Sequence, residues 1–144
     1  MIIDQLSVFV ENKPGALTEI TEMLAEAEID LEAFTIADTS EFGVLRLIVD
    51  APKKALSVLK MNGFIASLTP VVAVCIEDEP GSLAKILKTL SNEGISIEYM
   101  YAFVSREEGS AYVIFRVEDN DKAIHILNNS GLVSAANLDK GGKQ

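Results

Sequence analysis

The stretch VFVENKPGALTEITEMLAEAEIDLE, residues 8–32, decides the fold because it recurs as VCIEDEPGSLAKILKTLSNEGISIE at residues 74–98. The two stretches agree at nine of 25 positions with a constant offset of 66 residues, so that Pro14-Gly15 matches Pro80-Gly81. Unrelated segments of this length would share on the order of one or two residues. The chain therefore contains an internal repeat, and the repeated unit determines its architecture.

The repeat extends beyond these stretches over most of the chain. After a two-residue difference in length the register resumes at an offset of 68, where Val49-Asp50 matches Val117-Glu118 and Gly63 matches Gly131. These matches predict two domains, residues 1–69 and 70–144, joined by a short linker at Ile65–Pro70.

Each copy shows the same succession of hydrophobic periods. An apolar, β-branched stretch predicts a first strand, and apolar residues at helical spacing after Pro-Gly predict a first helix. Proline suits the first helical turn because its missing N–H would be unpaired there. The first copy's strands are predicted at Leu6–Val10, from Ile29 through Ile36, at Leu45–Val49 and at a short fourth segment, with a turn at Asp38–Gly43 and a second helix at Pro52–Met61. The second copy has strands at Val71–Ile76, from Ile95 through Phe103, at Tyr112–Val117 and at a short fourth segment. Its turn is at Ser105–Gly109 and its second helix at Asp121–Asn129.

The order β-α-β-β-α-β, found twice, predicts an α+β fold of two tandem ferredoxin-like units. Each unit is expected to form an antiparallel sheet with both helices on one face. A unit of this size buries only about 60% of its extended-chain surface and is marginal alone. The second strands are apolar on both faces, which is unfavourable at an exposed sheet edge. We therefore expect the copies to pack on each other or on another chain, with two independent units as the alternative.

Composition excludes several classes of function. Twelve Lys+Arg against 22 Asp+Glu give a formal net charge of −10, which disfavours nucleic acid and anionic lipid as partners. A single cysteine (Cys75) and a single histidine (His125) leave no multi-cysteine or multi-histidine metal centre. We expect no cofactor and no metal, a buried Cys75, and no catalytic role for His125.

Targeting signals and enzyme motifs are not found either. The N-terminus does not resemble a signal peptide, and the longest apolar run, Val71–Ile76, is six residues. The cytoplasm is the expected compartment. The sequence lacks a Gly-x-Ser-x-Gly elbow, a phosphate-binding loop and a histidine-glutamate metal motif, so we expect a protein that is not an enzyme.

The two Pro-Gly stretches resemble the signature of the ACT domains, small regulatory modules that sense amino acids. The pattern is a strand running into Asn12-Lys13-Pro14-Gly15-Ala16-Leu17 or Asp78-Glu79-Pro80-Gly81-Ser82-Leu83, then a helix, then Ile29-Asp30-Leu31-Glu32 or Ile95-Ser96-Ile97-Glu98. It is most similar to free-standing tandem ACT proteins without a catalytic domain. The resemblance implies a pocket between paired units, lined by the first turn of one and the second strand of the other. The ligand-binding residues it implies are Asn12, Gly15, Ala16, Leu17, Asp30, Asp78, Gly81, Ser82, Leu83 and Ser96.

Elementary chemistry agrees with that site. A helix N-terminus presents unpaired N–H groups and about half a positive charge, which suits a carboxylate. Glycine at positions 15 and 81 removes the Cβ, so that ligand or backbone can approach closely. An ammonium group needs an oxygen acceptor such as Asp30 or Asp78. These carboxylates favour a polar amino acid such as histidine, and the exchange of Asn12 for Asp78 makes the two half-sites chemically unequal.

Each of these residues also has a purely structural interpretation. Asn12 and Asp78 can cap the helix or close an Asx turn, Gly15 and Gly81 can serve helix–sheet packing, and Asp30 and Ser96 can be turn residues. The expected partners are a free amino acid and either a regulated enzyme or a second copy of the chain. The alternative function is an interaction module that recruits an enzyme or self-associates through edge strands without sensing a ligand.

Overall fold

The computed structural model of the chain describes residues 1–38, 41–104 and 108–135. Each half begins with a strand, a helix, two strands and a second helix, in that order. One long strand ends the first half and begins the second. The strands are β1 (Ile2–Glu11), β2 (Leu31–Asp38), β3 (Phe42–Val49), β4 (Ala66–Glu77), β5 (Ile97–Val104), β6 (Ser110–Val117) and β7 (Ser134–Ala135). The helices are α1 (Ala16–Glu26), α2 (Pro52–Met61), α3 (Ser82–Asn92) and α4 (Asn120–Ser130).

The chain divides into two compact units. The first unit is Asp4–Thr69, and the second unit contains Met1–Ile3 and the described residues from Pro70 onwards. Met1 joins the second unit through paired backbone hydrogen bonds to Ala73, with N–O distances of 2.9 and 2.8 Å. The first three residues of the chain, the last two of which begin β1, therefore belong with the later part of the sequence, which the repeat did not indicate.

Both units have the predicted antiparallel α+β plan. In the first unit β3 lies between β2 and β1, with Phe34 opposite Leu47 and Val8 opposite Leu45. In the second unit β6 lies between β5 and β4, and β7 pairs with the other side of β4. The fold class of two tandem ferredoxin-like units is confirmed.

The predicted linker at Ile65–Pro70 is wrong for most of its length. Ala66–Thr69 begin β4, which continues without interruption to Glu77. The strand forms because the stretch alternates and then becomes fully apolar. Pro70 cannot donate to a ladder, and the pairing of β4 with β6 begins after it, at Val72. The predicted turns at Asp38–Gly43 and Ser105–Gly109 lie partly outside the described residues.

The core of each unit lies between its sheet and its two helices. In the first unit β1 buries every second residue from Leu6 to Val10, and these side chains join Ile20 and Leu24 of α1 and Leu59 of α2. In the second unit Phe115 and alternate residues of β4 pack with Ile86 and Leu90 of α3. Helices on one face of each sheet are thus confirmed.

The single cysteine is buried, as predicted. Cys75 is 4% exposed and lies on the opposite face of β4 from the core residues Val74 and Ile76. His125 is exposed on α4, where its Nε2 lies 3.2 Å from Nδ2 of Asn129. No helix among the described residues has the length and apolar character needed to cross a bilayer.

The second strands begin two residues later than predicted in both units. The predicted starts, Ile29 and Ile95, donate their N–H groups to Leu24 O and Leu90 O at 3.0 Å and so close the preceding helices. This is the Schellman arrangement, in which a residue past the helix end satisfies a carbonyl of its last turn. A helix-ending hydrogen bond therefore replaces the ladder hydrogen bond that a strand residue would make.

Candidate functional site: the repeated Pro-Gly turn

The turn between β1 and α1 is a type II β-turn. Ala16 N donates to Lys13 O at 3.3 Å, and Gly15 has φ 87° and ψ −12°. Type II turns place proline second and need a positive φ at the third position, where glycine is favoured. The sequence Lys13-Pro14-Gly15-Ala16 satisfies both requirements.

The second unit repeats this geometry. Ser82 N donates to Glu79 O at 3.2 Å, and Gly81 has φ 90° and ψ −13°. Each turn is also anchored to the following hairpin, since the backbone N–H groups of Asn12 and Asp78 donate to Glu41 O at 3.0 Å and Gly109 O at 2.8 Å. The two turns are therefore fixed in the same way in both copies.

Two of the expected reasons for the glycines, close approach of backbone and helix–sheet packing, are corrected by the structure, and close approach of a ligand stays a prediction. A Cβ built on Gly15 or Gly81 meets no atom of the described chain within 4 Å. Neither close approach of neighbouring backbone nor helix–sheet packing therefore requires glycine at these positions. The backbone conformation requires it, because side-chain-bearing residues rarely adopt φ near +90°.

The first turns of α1 and α3 have no side-chain cap. Gly15 and Gly81 occupy the N-cap positions, and neither helix receives a capping hydrogen bond from a side chain. The interpretation of Asn12 and Asp78 as helix caps is therefore wrong. The first N–H groups of a helix have no intrahelical acceptor, and here the turn uses that of the first helical residue, Ala16 or Ser82. The N–H groups of the next two residues therefore remain available for solvent or a ligand.

The turn residues differ in exposure. Asn12, Asp78 and both glycines are exposed. Leu17 and Leu83, the second residues of their helices, are 42% and 37% exposed. At the first helical position Ala16 is buried and Ser82 is half-buried. All the predicted residues of the β1–α1 and β4–α3 segments thus lie around their turns.

The other two predicted residues, Asp30 and Ser96, lie at the opposite ends of the helices. Asp30 follows α1, and its N–H donates to Asp50 Oδ1 at 3.1 Å. Because α1 has eleven residues, about 16 Å of helix separates Asp30 from the Gly15 turn. A single unit does not bring Asn12 and Asp30 together, so a site that uses both kinds of residue needs two units.

An apolar cavity adjoins the turn of the first unit. It has a volume of about 240 Å³ and includes Ala16, the first residue of α1. Sequence reasoning missed it, although Phe9 is out of phase with the buried residues of β1. The complete lining is Phe9, Val10, Glu11, Lys13, Ala16, Glu19, Phe42, Gly63, Phe64 and Ile65.

A more open, acidic groove of about 600 Å³ extends from the same turn along α1 and α2. It includes Gly15 and the carboxylates Glu19, Glu22 and Glu26. These glutamates lie three and four residues apart on one helix face and repel an anion. A carboxylate ligand is therefore disfavoured within this groove.

A cavity of about 800 Å³ in the second unit includes the predicted residue Ser96. Its lining includes four carboxylates, and the Oε2 of one of them, Glu98, lies 3.5 Å from Arg116 Nε. The buried Oδ1 of Asn120 has no hydrogen-bond partner in the described part of the chain. In residues 1–38, 41–104 and 108–135 no group of three or more His, Cys, Asp or Glu is arranged to hold a metal ion.

These features define a class of protein: a tandem pair of ferredoxin-like domains, each with a glycine turn leading into an uncapped first helix. The family model of the ACT domain pair matches residues 1–140. The chain belongs to this family, and the resemblance seen in the sequence is confirmed.

Solved structures agree with this assignment. Protein BT0572 from Bacteroides thetaiotaomicron is 45% identical, with 94% of each chain covered and a TM-score of 0.87. The regulatory subunit of aspartate kinase from Thermus thermophilus is 20% identical, with 90% of this chain and 96% of that chain covered and a TM-score of 0.67. Its counterpart from Thermus flavus is also 20% identical, with 90% and 94% covered and a TM-score of 0.63. At this identity the two regulatory subunits show a shared fold. No curated protein matches the chain.

Proposed function

We propose that this ACT domain pair is a non-catalytic, cytoplasmic sensor that binds a free amino acid between two ACT units and transmits its presence to a partner. Its observed basis is the uncapped helix N-terminus behind a glycine turn, which occurs in both units. The proposed ligand-binding residues are those around the two turns together with Asp30 and Ser96.

The amino acid's carboxylate fits the first turn of the helix. The free N–H groups and the helix dipole both favour an anion there. Each turn also has one lysine close by in sequence, Lys13 before Gly15 and Lys85 after Gly81. The lysine precedes the glycine in the first copy and follows it in the second, which supports unequal half-sites.

The ammonium group needs an acceptor that the turn alone supplies poorly. Asp30 or Ser96 of another ACT unit, in this chain or in a second copy, would complete the site. A ligand held by two units binds best when they are in one particular arrangement. It shifts the equilibrium between arrangements by its difference in affinity for them, and a regulated enzyme could respond to that shift.

One observation favours the alternative function, an interaction module that does not sense a ligand. Phe34 and Ile36 on β2 are 70% and 45% exposed, and β2 is the last strand of its unit's sheet. An exposed apolar edge strand can pair with another chain. An interaction module that recruits an enzyme or a second copy is therefore the second candidate.

Thermal denaturation in the presence of each common amino acid distinguishes these functions. Ligand at 100 times its Kd adds about 2.7 kcal/mol of stability, which raises Tm by several degrees for a chain of this size. We expect such a rise for at least one amino acid. If none of them raises Tm, the sensing function is wrong and the interaction module remains.

The substitution Ser82→Asp tests whether the helix N-terminus binds the carboxylate. A carboxylate at the first position of α3 interacts favourably with the helix dipole, by about 0.3–1 kcal/mol, but it repels an anionic ligand. We expect Tm without ligand to stay the same or rise while the ligand-induced increase becomes smaller. The control is Asp4→Ala, which removes an exposed carboxylate on β1 and should leave the ligand response unchanged. An unchanged response in Ser82→Asp would remove the α3 turn from the site.

A further inference from the structure

We infer that the apolar cavity beside the first unit's turn receives the side chain of the ligand, and that this half-site selects an apolar amino acid. This inference rests on the proposed function and adds to it the class of ligand. It departs from the sequence-based expectation of histidine, which came from Asp30 and Asp78.

Aromatic and aliphatic side chains form the wall of the cavity and remain in contact with water. Phe9 is 55% exposed, Phe42 is 50% exposed and Ile65 is 71% exposed. Phe9 N donates to Ile65 O at 3.0 Å. The backbones of these two residues are therefore neighbours. Covering these surfaces with an apolar group removes them from water, which favours binding in proportion to the area covered.

Charged groups lie among the same lining residues. Lys13 Nζ lies 3.1 Å from Glu11 Oε2, and Glu19 completes the charged part of the lining. Lys13 is the cation of this lining, and it gives the ligand's carboxylate a partner in addition to the helix N-terminus. The ammonium group still takes its acceptor from Asp30 or Ser96 of another unit. An apolar wall with a small number of charged groups is the usual composition of a small-molecule site.

The size of the cavity limits its occupant. Its 240 Å³ lies below the range of about 300–1,000 Å³ that is usual for drug-sized ligands. A peptide helix, about 10–12 Å in diameter with its side chains, does not fit. One amino-acid side chain does.

The second unit has different residues at the equivalent positions. Phe9 lies opposite Val44 as Cys75 lies opposite Tyr112, and Phe42 lies opposite Glu11 as Ser110 lies opposite Glu77. Cys75 and Ser110 thus replace the two phenylalanines. Glu79 replaces Lys13, so the cation before the turn is lost as well. The apolar selectivity therefore belongs to the first unit.

Calorimetric titration of the full chain with alanine, leucine, phenylalanine, serine, histidine and lysine tests the inference. Leucine has three more carbons than alanine, and burying each of them removes apolar surface from water, which favours binding. Even partial burial should make leucine or phenylalanine bind at least about tenfold more tightly than alanine. The substitutions Phe9→Ala and Phe42→Ser, the second copying Ser110, should each remove most of this preference. Phe34→Ala, an exposed phenylalanine outside the cavity, is the matched control and should leave it unchanged.

The possible results separate this inference from the proposed function. If only polar amino acids bind, and Phe9→Ala does not weaken them, the inference is overturned and the sensing function stands. If no amino acid binds, both are overturned. If Phe9→Ala changes the oligomeric state measured by sedimentation but not the affinity for leucine, the cavity holds a side chain of a second copy, and the inference is again overturned.

Discussion

At the scale of single residues, the backbone positions with positive φ explain most of the glycines in the repeat. Gly94 follows α3 with φ 74°, and the equivalent residue after α1 is Glu28 with φ 58°. Both donate their N–H groups into the preceding helix, to Ser91 O and Ala25 O. The same helix ending is therefore formed with a glycine in the second copy and with a glutamate in the first.

This difference predicts opposite effects of two substitutions. A side chain in the left-handed region costs roughly 1–2 kcal/mol, so Gly94→Ala should destabilise the chain by about 1 kcal/mol, after allowing for the lower entropy of unfolded alanine. Glu28→Gly should be neutral or stabilising by up to about 1 kcal/mol for the same reason. Urea denaturation followed by circular dichroism measures both. Destabilisation by Glu28→Gly of more than about 1 kcal/mol would show that the Glu28 side chain contributes more than its strain costs.

At the scale of elements, a lysine in each second helix stabilises the end of the first helix. Lys54 Nζ donates to Ala27 O at 2.6 Å, and Lys122 Nζ donates to Glu93 O at 3.2 Å. Both carbonyls belong to the C-cap residues of α1 and α3. A cation is favourable at this end because the helix dipole is negative there.

Removal of either lysine should loosen this contact between helices. We expect Lys54→Met and Lys122→Met each to cost about 0.5–1 kcal/mol, because a net hydrogen bond contributes about that much and exposure limits the electrostatic part. The measurement is Tm at low and at 1 M salt, with a smaller difference expected at high salt. Lys53→Met changes a neighbouring exposed lysine and serves as the control. An equal loss in the control would mean that general charge, not the helix end, causes the effect.

At the scale of the whole molecule, two copies of one fold have acquired different surfaces. The first unit has an aromatic cavity at its turn and exposed apolar residues on β2, whereas the second has acidic residues at its turn. A formal charge of −10 opposes association of the chain with itself in general. Any self-association must therefore come from a specific apolar surface.

Strand β2 is the surface on which this can be tested. Phe34→Lys should weaken self-association, because a lysine on an edge strand opposes pairing with another strand, while stability should change by no more than about 0.5 kcal/mol. Sedimentation velocity over a range of concentrations measures it. Ser91→Lys adds the same charge at an exposed position of α3 and controls for charge alone. If Phe34→Lys associates as strongly as the control, β2 is not the contact.

The fold could be predicted from the sequence because each local sequence pattern occurs twice, once in each copy of the repeat. Pro-Gly, the helical spacing of Ile20 and Leu24, and the limits of α2 are local properties, and the structure confirms them. The linker prediction is wrong because the alternation of Ala66–Thr69 extends over only four residues before Pro70, which is too short to separate a strand from a connection without the pairing that the structure shows. The strand starts were misplaced because Ile29 and Ile95 donate to helix carbonyls, which hydrophobic pattern does not reveal.

The sequence by itself determined that the chain is a pair of ACT domains with two unequal glycine turns, since residue types and spacing are enough to specify local conformation. Only the tertiary structure decided what surrounds those turns. It showed that Asp30 lies a helix length from the turn of its own unit, and that Phe9, Phe42 and Ile65 meet in one cavity. Residues so far apart along the chain come together through strand pairing and chain reversal, and no local pattern encodes that distance.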